Sequence, residues 1–303
     1  MEILVTGASG YVGSQLIPRL QRAGHRVRAF AREPARVAAP VPVHAGDAVT
    51  GAGLAEALED VDAAYFLIHS METGDASFVE RDRRAAEGFA AAARAAGVQR
   101  LIYLGGPAPE QAVPSRHLAS RLEVERILLA AAPEALALRA SIVIAAESRS
   151  FRFLVRLVER VPVLALPAWR DRRTAPVDGR DMVEMLAAAA GVPAAGGRSL
   201  DAAGPDLLTY GEMISRIRDH MLVGRPSLPL RLTATPVTSR VAAAIAGEDP
   251  ELIRPLMESL EHDLLPRPGH DAGEALGVRV HSFDAAVEHA LREWETREPL
   301  AAR

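Results

Sequence analysis

Three glycines near the start of the chain have the spacing of a dinucleotide-binding turn. They lie between a β-branched run that ends at Thr6 and an amphipathic segment that follows it. In such a turn the first glycine permits the tight bend, the second lets the backbone approach a pyrophosphate, and the third lets the helix pack on the strand. The helix N-terminus then offers N–H groups and a positive dipole end to the phosphates. A purely structural glycine turn is the alternative. The predicted phosphate-binding residues are Gly7, Ser9, Gly10, Tyr11, Val12 and Gly13.

The residues after the second predicted strand bear on the choice between NADP and NAD. About twenty residues beyond the glycines, an acid would bind the ribose of NAD, whereas an arginine would bind the 2′-phosphate of NADP. Here Arg32 ends the strand, Arg36 follows, and Glu33 lies between them. We expect the two arginines to clamp the phosphate, so NADP(H) is favoured over NAD(H). Two alternatives stay open: the arginines are solvated, or Glu33 binds the ribose.

Two more polar residues follow strands of the same predicted sheet. Asp47 comes after the third strand and is placed to accept a hydrogen bond from the adenine amino group; a simple turn aspartate is the alternative. His69 closes the fourth, otherwise apolar strand and should pass under the ribose and nicotinamide; a rim residue without a ligand is its alternative.

The elements that must position these residues alternate between strand and helix. Strands are predicted at residues 2–6, 25–31, 41–45, 63–69, 101–104 and 136–145, and helices at 11–23, 54–58, 78–96 and 117–131. This alternation predicts an α/β fold, a Rossmann-type doubly wound parallel sheet with helices on both faces. We assign residues 1–205 to the NAD(P)-binding domain, with an excursion at about 146–175, and residues 206–303 to a small C-terminal substrate lobe.

Composition narrows the classes of partner. The formal net charge of -4 gives no electrostatic reason to expect nucleic acid. The chain has no cysteine, which excludes disulfides and thiolate chemistry, and no histidine pair stands at metal-ligand spacing, so no metal is predicted. No apolar run approaches the roughly 20 residues of a membrane helix. We expect a cytoplasmic protein that binds a small molecule, and the sequence leaves a homo-oligomer open.

Several segments together resemble the short-chain dehydrogenase/reductase superfamily. TGASGYVG, the Gly-Asp after the third strand and RLIYLGG are similar to its extended and atypical branches. Further on, LRASIVI, TAPVDGRDM and AAGPDLLTYGEM resemble NmrA-like and sugar-nucleotide-epimerase-like members. The resemblance covers residues 1 to about 295 and implies an NAD(P)-dependent enzyme on a Rossmann fold.

The chain differs from this family at the catalytic positions. The resemblance implies a Tyr-x-x-x-Lys pair on the helix after strand five and a serine at the end of that strand. Here the strand ends in Gly105 and Gly106, the chain has no lysine, and His117 and Arg121 stand at the tyrosine and lysine positions. Residues four apart share a helix face, so both side chains can point into the site.

His117 and Arg121 are therefore the candidate catalytic residues. A histidine can donate or accept a proton at neutral pH, whereas arginine can hold ribose hydroxyls and bias His117 toward its neutral form. A helix-end histidine and a surface arginine in a non-catalytic protein are the alternative. The neighbouring Glu125 is interpreted as part of a solvated charged face.

The sequence thus indicates an NADP(H)-dependent oxidoreductase acting on a small, apolar carbonyl or enone-like substrate. His117 or a bound water would supply the proton. Two other functions stay compatible: an NmrA-like regulatory or redox-sensor protein that binds NADP(H) without turnover, and a non-redox isomerase or epimerase that retains the cofactor.

Overall fold

A parallel sheet forms the centre of the molecule, whose computed structural model describes residues 1–68, 78–109, 115–192, 197–229 and 260–300. The strands are β1 (Glu2–Thr6), β2 (Arg26–Ala31), β3 (Val43–Ala45), β4 (Ala63–Phe66), β5 (Arg100–Gly105), β6 (Glu134–Ala140), β7 (Val143–Ile144), β8 (Leu164–Leu166), β9 (Arg173–Thr174), β10 (Val177–Asp178), β11 (Arg198–Ala202), β12 (Leu208–Thr209) and β13 (Ser227–Pro229). Seven of them form the central sheet in the order β11-β6-β5-β4-β1-β2-β3, and every pair is parallel.

Helices cover both faces of this sheet. They are α1 (Tyr11–Arg22), α2 (Leu54–Leu58), α3 (Phe78–Ala95), α4 (Arg116–Leu129), α5 (Arg149–Arg160), α6 (Gly179–Ala189), α7 (Tyr210–His220), α8 (Ala272–Leu276) and α9 (Phe283–Glu295). Along β1, Val5 packs with α1 and α6, whereas Leu4 packs with α2, α3 and α4, because successive strand residues face opposite sides. The predicted Rossmann-type doubly wound sheet is confirmed.

The strand order reverses between β1 and β4, which marks the switch point where ligands bind in such sheets. The Thr6 side chain ties the two strands together there. Its hydroxyl donates to the Tyr65 carbonyl at 2.9 Å and accepts from the Leu67 N–H at 3.2 Å. Thr6 is fully buried, so the crevice has a rigid floor.

A second apolar cluster joins α5, α7 and α9. Phe151, Ile214 and Trp294 are among its buried members. A capping box begins α7, since Thr209 accepts from the Glu212 N–H and the Glu212 carboxylate accepts from the Thr209 N–H. Helix α8 packs instead against α6 and β11, within the cluster beneath the main sheet.

Two features of the second half differ from the sequence prediction. The strand predicted to reach residue 145 ends at Ala140, and β7 pairs separately with β10. The seventh strand, β11, was not predicted. Its Ser199 and Asp201 give it no apolar alternation on the side that faces α4. None of the helices in the described part of the chain is both long and apolar enough to cross a membrane.

Candidate functional site

Two glycines of the glycine-rich turn are required by the fold, whereas the third is required only by a ligand. Gly7 has φ of 67°, and a β-carbon on it would lie 2.8 Å from the Leu67 carbonyl oxygen. A β-carbon on Gly13 would lie 2.4 Å from the Gly7 oxygen. Gly10 is exposed, and its nearest contact would be 3.4 Å, again to the Gly7 oxygen. The protein's own atoms therefore leave room above Gly10, as an approaching pyrophosphate would need.

The N-terminus of α1 fits an anion for a second reason. Gly10 is its N-cap, no side chain caps the first turn, and no acidic residue lies in that turn. The unsatisfied N–H groups and the helix dipole thus favour a phosphate, while exposed Ser9 borders the same turn. Val12 is half-buried and packs against the core cluster beneath α1.

The side chain of Tyr11 extends from this turn toward the start of α6. A β-carbon on Gly179, the first residue of α6, would lie 2.6 Å from the Tyr11 hydroxyl. Burial, followed by the carboxylates of Glu293 and Asp178, raises the pKa of this phenol well above its usual value. Tyr11 therefore stays protonated at neutral pH.

The three charged residues that follow β2 and bear on the choice of cofactor differ in their ion pairs. Arg32 is exposed and makes no ion pair or hydrogen bond within the described residues. Glu33 pairs with Arg36 at 3.6 Å, and both side chains are about two-thirds exposed. The guanidinium of Arg32 is thus available, whereas Glu33 already has a cation beside it.

Asp47 acts as a turn aspartate, which was the alternative to adenine binding. Its Oδ1 accepts the Val49 N–H at 2.8 Å, and its backbone bridges to Ala52. Asp47 is only half-buried at the edge of the sheet, so adenine binding stays a prediction. His69 lies outside the described residues.

The candidate catalytic residues lie on the first two turns of α4, beside the end of β5. Ser115 caps the helix by accepting the Leu118 N–H at 3.3 Å. A β-carbon on Gly106 would meet Leu118 at 3.4 Å and the Arg121 Cγ at 3.8 Å, so the helix packs on the strand end that lacks the serine. The hydroxyl of fully buried Tyr103 donates to the Arg121 carbonyl at 3.3 Å and helps to hold the helix there.

His117 is in its neutral form at this position. Burial, and then the positive charge of Arg121, lower its pKa from 6.5 to about 3. An imidazole with this pKa does not supply an imidazolium proton at neutral pH. It can still donate one hydrogen bond through its N–H and accept another, and Arg121 adds a permanent positive charge.

Behind this face lies a chain of buried charges that the sequence did not predict. Glu125 is buried and forms a two-bond pair with Arg139 of β6 at 2.8 and 2.9 Å, so its interpretation as a solvated residue is wrong. Next to Arg139 in register, Asp201 of β11 pairs with Arg267 at 2.7 Å. The partners of both carboxylates are distant in sequence, so no local pattern could reveal them.

One group in the described ranges has ligand atoms close enough for a metal ion: Asp178, Asp181 and His281, within 4.8 Å of one another. Asp178 caps α6 and is held by Arg180, while both oxygens of Asp181 accept from His281. The carboxylates are thus already paired within the protein.

Comparison with known proteins agrees with this geometry. Residues 7–143 match the family described as NAD(P)H-binding. A (4-alkanoyl-5-oxo-2,5-dihydrofuran-3-yl)methyl phosphate reductase from Streptomyces griseus is 30% identical over 305 residues, covering 95% of this chain and 98% of the relative. A 3-beta-hydroxysteroid dehydrogenase from Mycolicibacterium neoaurum is 32% identical over 116 residues, 33% of this chain, and the match spans only 31% of the relative's length.

Solved structures show the same fold at lower identity. A dTDP-glucose 4,6-dehydratase from Streptomyces venezuelae, with NAD bound, superposes with a TM-score of 0.70 at 17% identity and with 98% of each chain covered. The phosphate-binding turn, the strand order and the full-length relative lead to one assignment. The chain belongs to the NAD(P)-binding short-chain dehydrogenase/reductase superfamily.

Proposed function

We propose that the protein is an NADP(H)-dependent reductase of a small conjugated carbonyl compound, an enone-like substrate. The observation that carries the proposal is the pair His117 and Arg121 beside the bare end of β5. We assign cofactor binding to residues 1–205 and substrate binding to the lobe of residues 206–303, over the carboxyl edge of the sheet.

His117 and Arg121 suit a reaction in which the protein must stabilise an anion rather than donate a proton. The bound cofactor supplies a hydride to the β-carbon of the enone. The electron pair of the C=C bond then moves onto the carbonyl oxygen, giving an enolate, and water delivers a proton to the α-carbon. Arg121 and the neutral N–H of His117 stabilise the oxygen as charge develops on it. An enolate is a weaker base than the alkoxide formed from a simple ketone, so the family's tyrosine is less needed.

A relative supports the substrate class. The name of the Streptomyces griseus reductase describes a 5-oxo-2,5-dihydrofuran, a ring in which a C=C bond is conjugated with a lactone carbonyl. That relative covers this chain almost completely. We therefore propose a substrate with the same conjugated unit, without transferring the rest of that molecule.

The preference for NADP(H) rests on the charges at the end of β2. A 2′-phosphate requires an available cation, and Arg32 is exposed and unpaired among the described residues. A ribose acid for NAD would be Glu33, which Arg36 neutralises. We therefore place the 2′-phosphate of NADP(H) against Arg32.

The test is the oxidation of NADPH with a panel that pairs each enone, including unsaturated lactones, with its saturated ketone or lactone. We expect turnover of the conjugated members, with deuterium from labelled NADPH appearing on the β-carbon. His117→Phe should lower kcat by about 10²–10³-fold, as for loss of one oxyanion donor. Reduction of the saturated partners alone would overturn the enone proposal.

A second function is favoured by one observation. With a pKa of about 3, His117 is no proton donor at neutral pH. An NADP(H)-binding regulatory protein without turnover would need none. Tight NADPH binding without oxidation of any panel member would support this function, and failure to bind either dinucleotide would remove both.

A further inference from the structure

Arg121 has a carboxylate on its own helix with which it does not pair. Glu125 follows it by four residues on α4, a spacing that brings two side chains together on one helix face. Arg83 and Glu87 of α3 have the same order and spacing, and they form an ion pair at 2.9 Å. Within the described residues Arg121 forms no ion pair. Another group must therefore hold Glu125.

That group is Arg139 of β6, which occupies the whole Glu125 carboxylate. Its Nε donates to one carboxylate oxygen at 2.9 Å, and its Nη2 donates to the other at 2.8 Å. The Glu125 side chain is only 6% exposed and that of Arg139 only 14%, so water screens the pair little. A two-bond pair between arginine and a carboxylate is the strong form of this contact. Arg139 thus takes the carboxylate that α4 would otherwise offer to Arg121.

The side chain of Arg121 is held by a neutral group instead. It hydrogen-bonds to the hydroxyl of Tyr103, which donates in turn to the Arg121 carbonyl at 3.3 Å. Burial raises the pKa of this hydroxyl more than the charge and hydrogen bond of Arg121 lower it, so Tyr103 stays uncharged. A guanidinium has five N–H donors, and Arg121 is half-buried. Tyr103 therefore fixes Arg121 without cancelling its charge and leaves donors for a ligand.

The two arginines approach Glu125 beside the bare end of β5. Arg139 pairs with Gly105 in the register of β5 and β6, and a β-carbon on the next residue, Gly106, would lie 3.8 Å from the Arg121 Cγ. Glu125 lies on α4 between these contacts, bonded to Arg139 and one helical turn from Arg121. A Glu125 released by Arg139 would thus need only a side-chain rotation to reach Arg121.

We propose that Arg139 is a positioning residue, which holds the Glu125 carboxylate and so keeps the charge of Arg121 available for the enolate oxygen of the substrate. This inference rests on the proposed function, because it needs an anion opposite Arg121. Without the Arg139 cation, Glu125 pairs with Arg121 as Glu87 pairs with Arg83. The developing enolate then faces a neutralised guanidinium.

The test uses two single variants that break the same ion pair and differ in what they leave behind. Arg139→Met leaves the carboxylate, which turns to Arg121, so kcat with the best enone of the panel should fall by about 10²-fold, as for a lost oxyanion donor, with little change in KM. Glu125→Leu removes the carboxylate and should keep kcat close to wild type. The double variant should regain the kcat that Arg139→Met loses. Arg139→Lys, which keeps a cation beside Glu125, should retain most of kcat.

The ionisation of His117 gives a second readout that needs no substrate. Burial, and then the charge of Arg121, lower the pKa of this imidazole. Pairing of Arg121 with Glu125 should therefore raise the pKa of His117 in Arg139→Met, and the double variant should reverse the rise. NMR titration of the His117 ring protons measures it. Circular dichroism shows which variants are folded under the assay conditions, and Arg139→Gln replaces Arg139→Met if the latter is unfolded.

Equal losses of kcat in Arg139→Met and Glu125→Leu would overturn the inference, because the ion pair would then support only the fold. An identical titration of His117 in wild type and Arg139→Met would overturn it as well. If the wild type reduces no enone of the panel, the proposed function fails. The titration of His117 then still decides whether Arg139 keeps Glu125 from Arg121.

Discussion

The carbonyl oxygen of Gly7 lies 2.4 Å from the position that a β-carbon on Gly13 would occupy, and 3.4 Å from that of a β-carbon on Gly10. The same oxygen thus forbids a side chain at one glycine and tolerates it at the other. Gly10 also has φ of −83°, which alanine adopts without strain. The two glycines serve the turn for separate reasons, which substitution can distinguish.

We expect Gly13→Ala to destabilise the fold by about 1–3 kcal/mol, because the turn must shift to admit the methyl group. Gly10→Ala should stay within about 0.5 kcal/mol of wild type. It should nevertheless weaken NADPH at least about tenfold, because its methyl group enters the path of the pyrophosphate. Urea denaturation and NADPH titration check both. Equal stability losses with unchanged NADPH affinity would contradict the assignment of this turn.

Arg32→Ala should weaken NADPH by roughly 10- to 100-fold, the loss of a charge-assisted hydrogen bond, and leave NADH unchanged. The reason is that only NADPH carries the 2′-phosphate that this exposed arginine would bind. Arg292→Ala, which removes another exposed arginine on α9, is the control. Titration of both cofactors measures the effect, and equal weakening of the two would mean that Arg32 does not bind this phosphate.

The neutral state of His117 predicts a pH-dependent contribution to stability. Its folded pKa of about 3 lies below the unfolded value of 6.5. Between these values the unfolded chain binds a proton here and the folded chain does not. The contribution is therefore fully present above about pH 6.5 and is lost as the pH falls toward 3.

Removing the imidazole should abolish this dependence. The difference in the free energy of unfolding between wild type and His117→Leu should change by up to about 1.4 kcal/mol per pH unit below pH 6.5, in favour of the variant as the pH falls. Urea denaturation between about pH 5 and 7 measures it. A difference that is constant over this range would show that the folded pKa is not lowered.

The buried pair of Glu125 and Arg139 predicts a marked non-additivity. Glu125→Leu should destabilise the protein by about 1–3 kcal/mol, because the half-buried Arg139 guanidinium loses both hydrogen bonds to this carboxylate. Adding Arg139→Met should recover most of this loss. Glu80→Leu, which breaks an exposed pair with Arg83, is the control and should have little effect. Denaturation of both single variants, the double variant and the control measures the coupling, and additive losses would contradict it.

The first half of the fold is predictable because its patterns are local. The helix predicted at residues 54–58 coincides with Leu54–Leu58, and the turn between β1 and α1 follows from glycine spacing alone. Each buried face there is built by apolar residues that recur within one element. The capping box of Thr209 and Glu212 is readable for the same reason.

The rest depends on partners that are remote in the chain. Strand β11 has Ser199 and Asp201 where an apolar pattern would be expected, because Arg267 satisfies both. The pair of Glu125 and Arg139 likewise joins α4 to β6, and it appears only after the two elements pack together. The depressed pKa of His117 reflects burial, which its place at the start of a helix does not reveal.

Strand β11 comes late in the sequence, which affects how the protein folds during its synthesis. Ribosomal synthesis reaches Arg198–Ala202 only after strands β7, β8, β9 and β10 and helices α5 and α6 have followed β6, yet this strand covers one edge of β6. Until then β6 presents unpaired backbone groups, which invite pairing with other chains. A fragment ending at residue 192 would expose that edge permanently and should aggregate on expression. The first 192 residues are therefore not expected to be stable as a separate fragment.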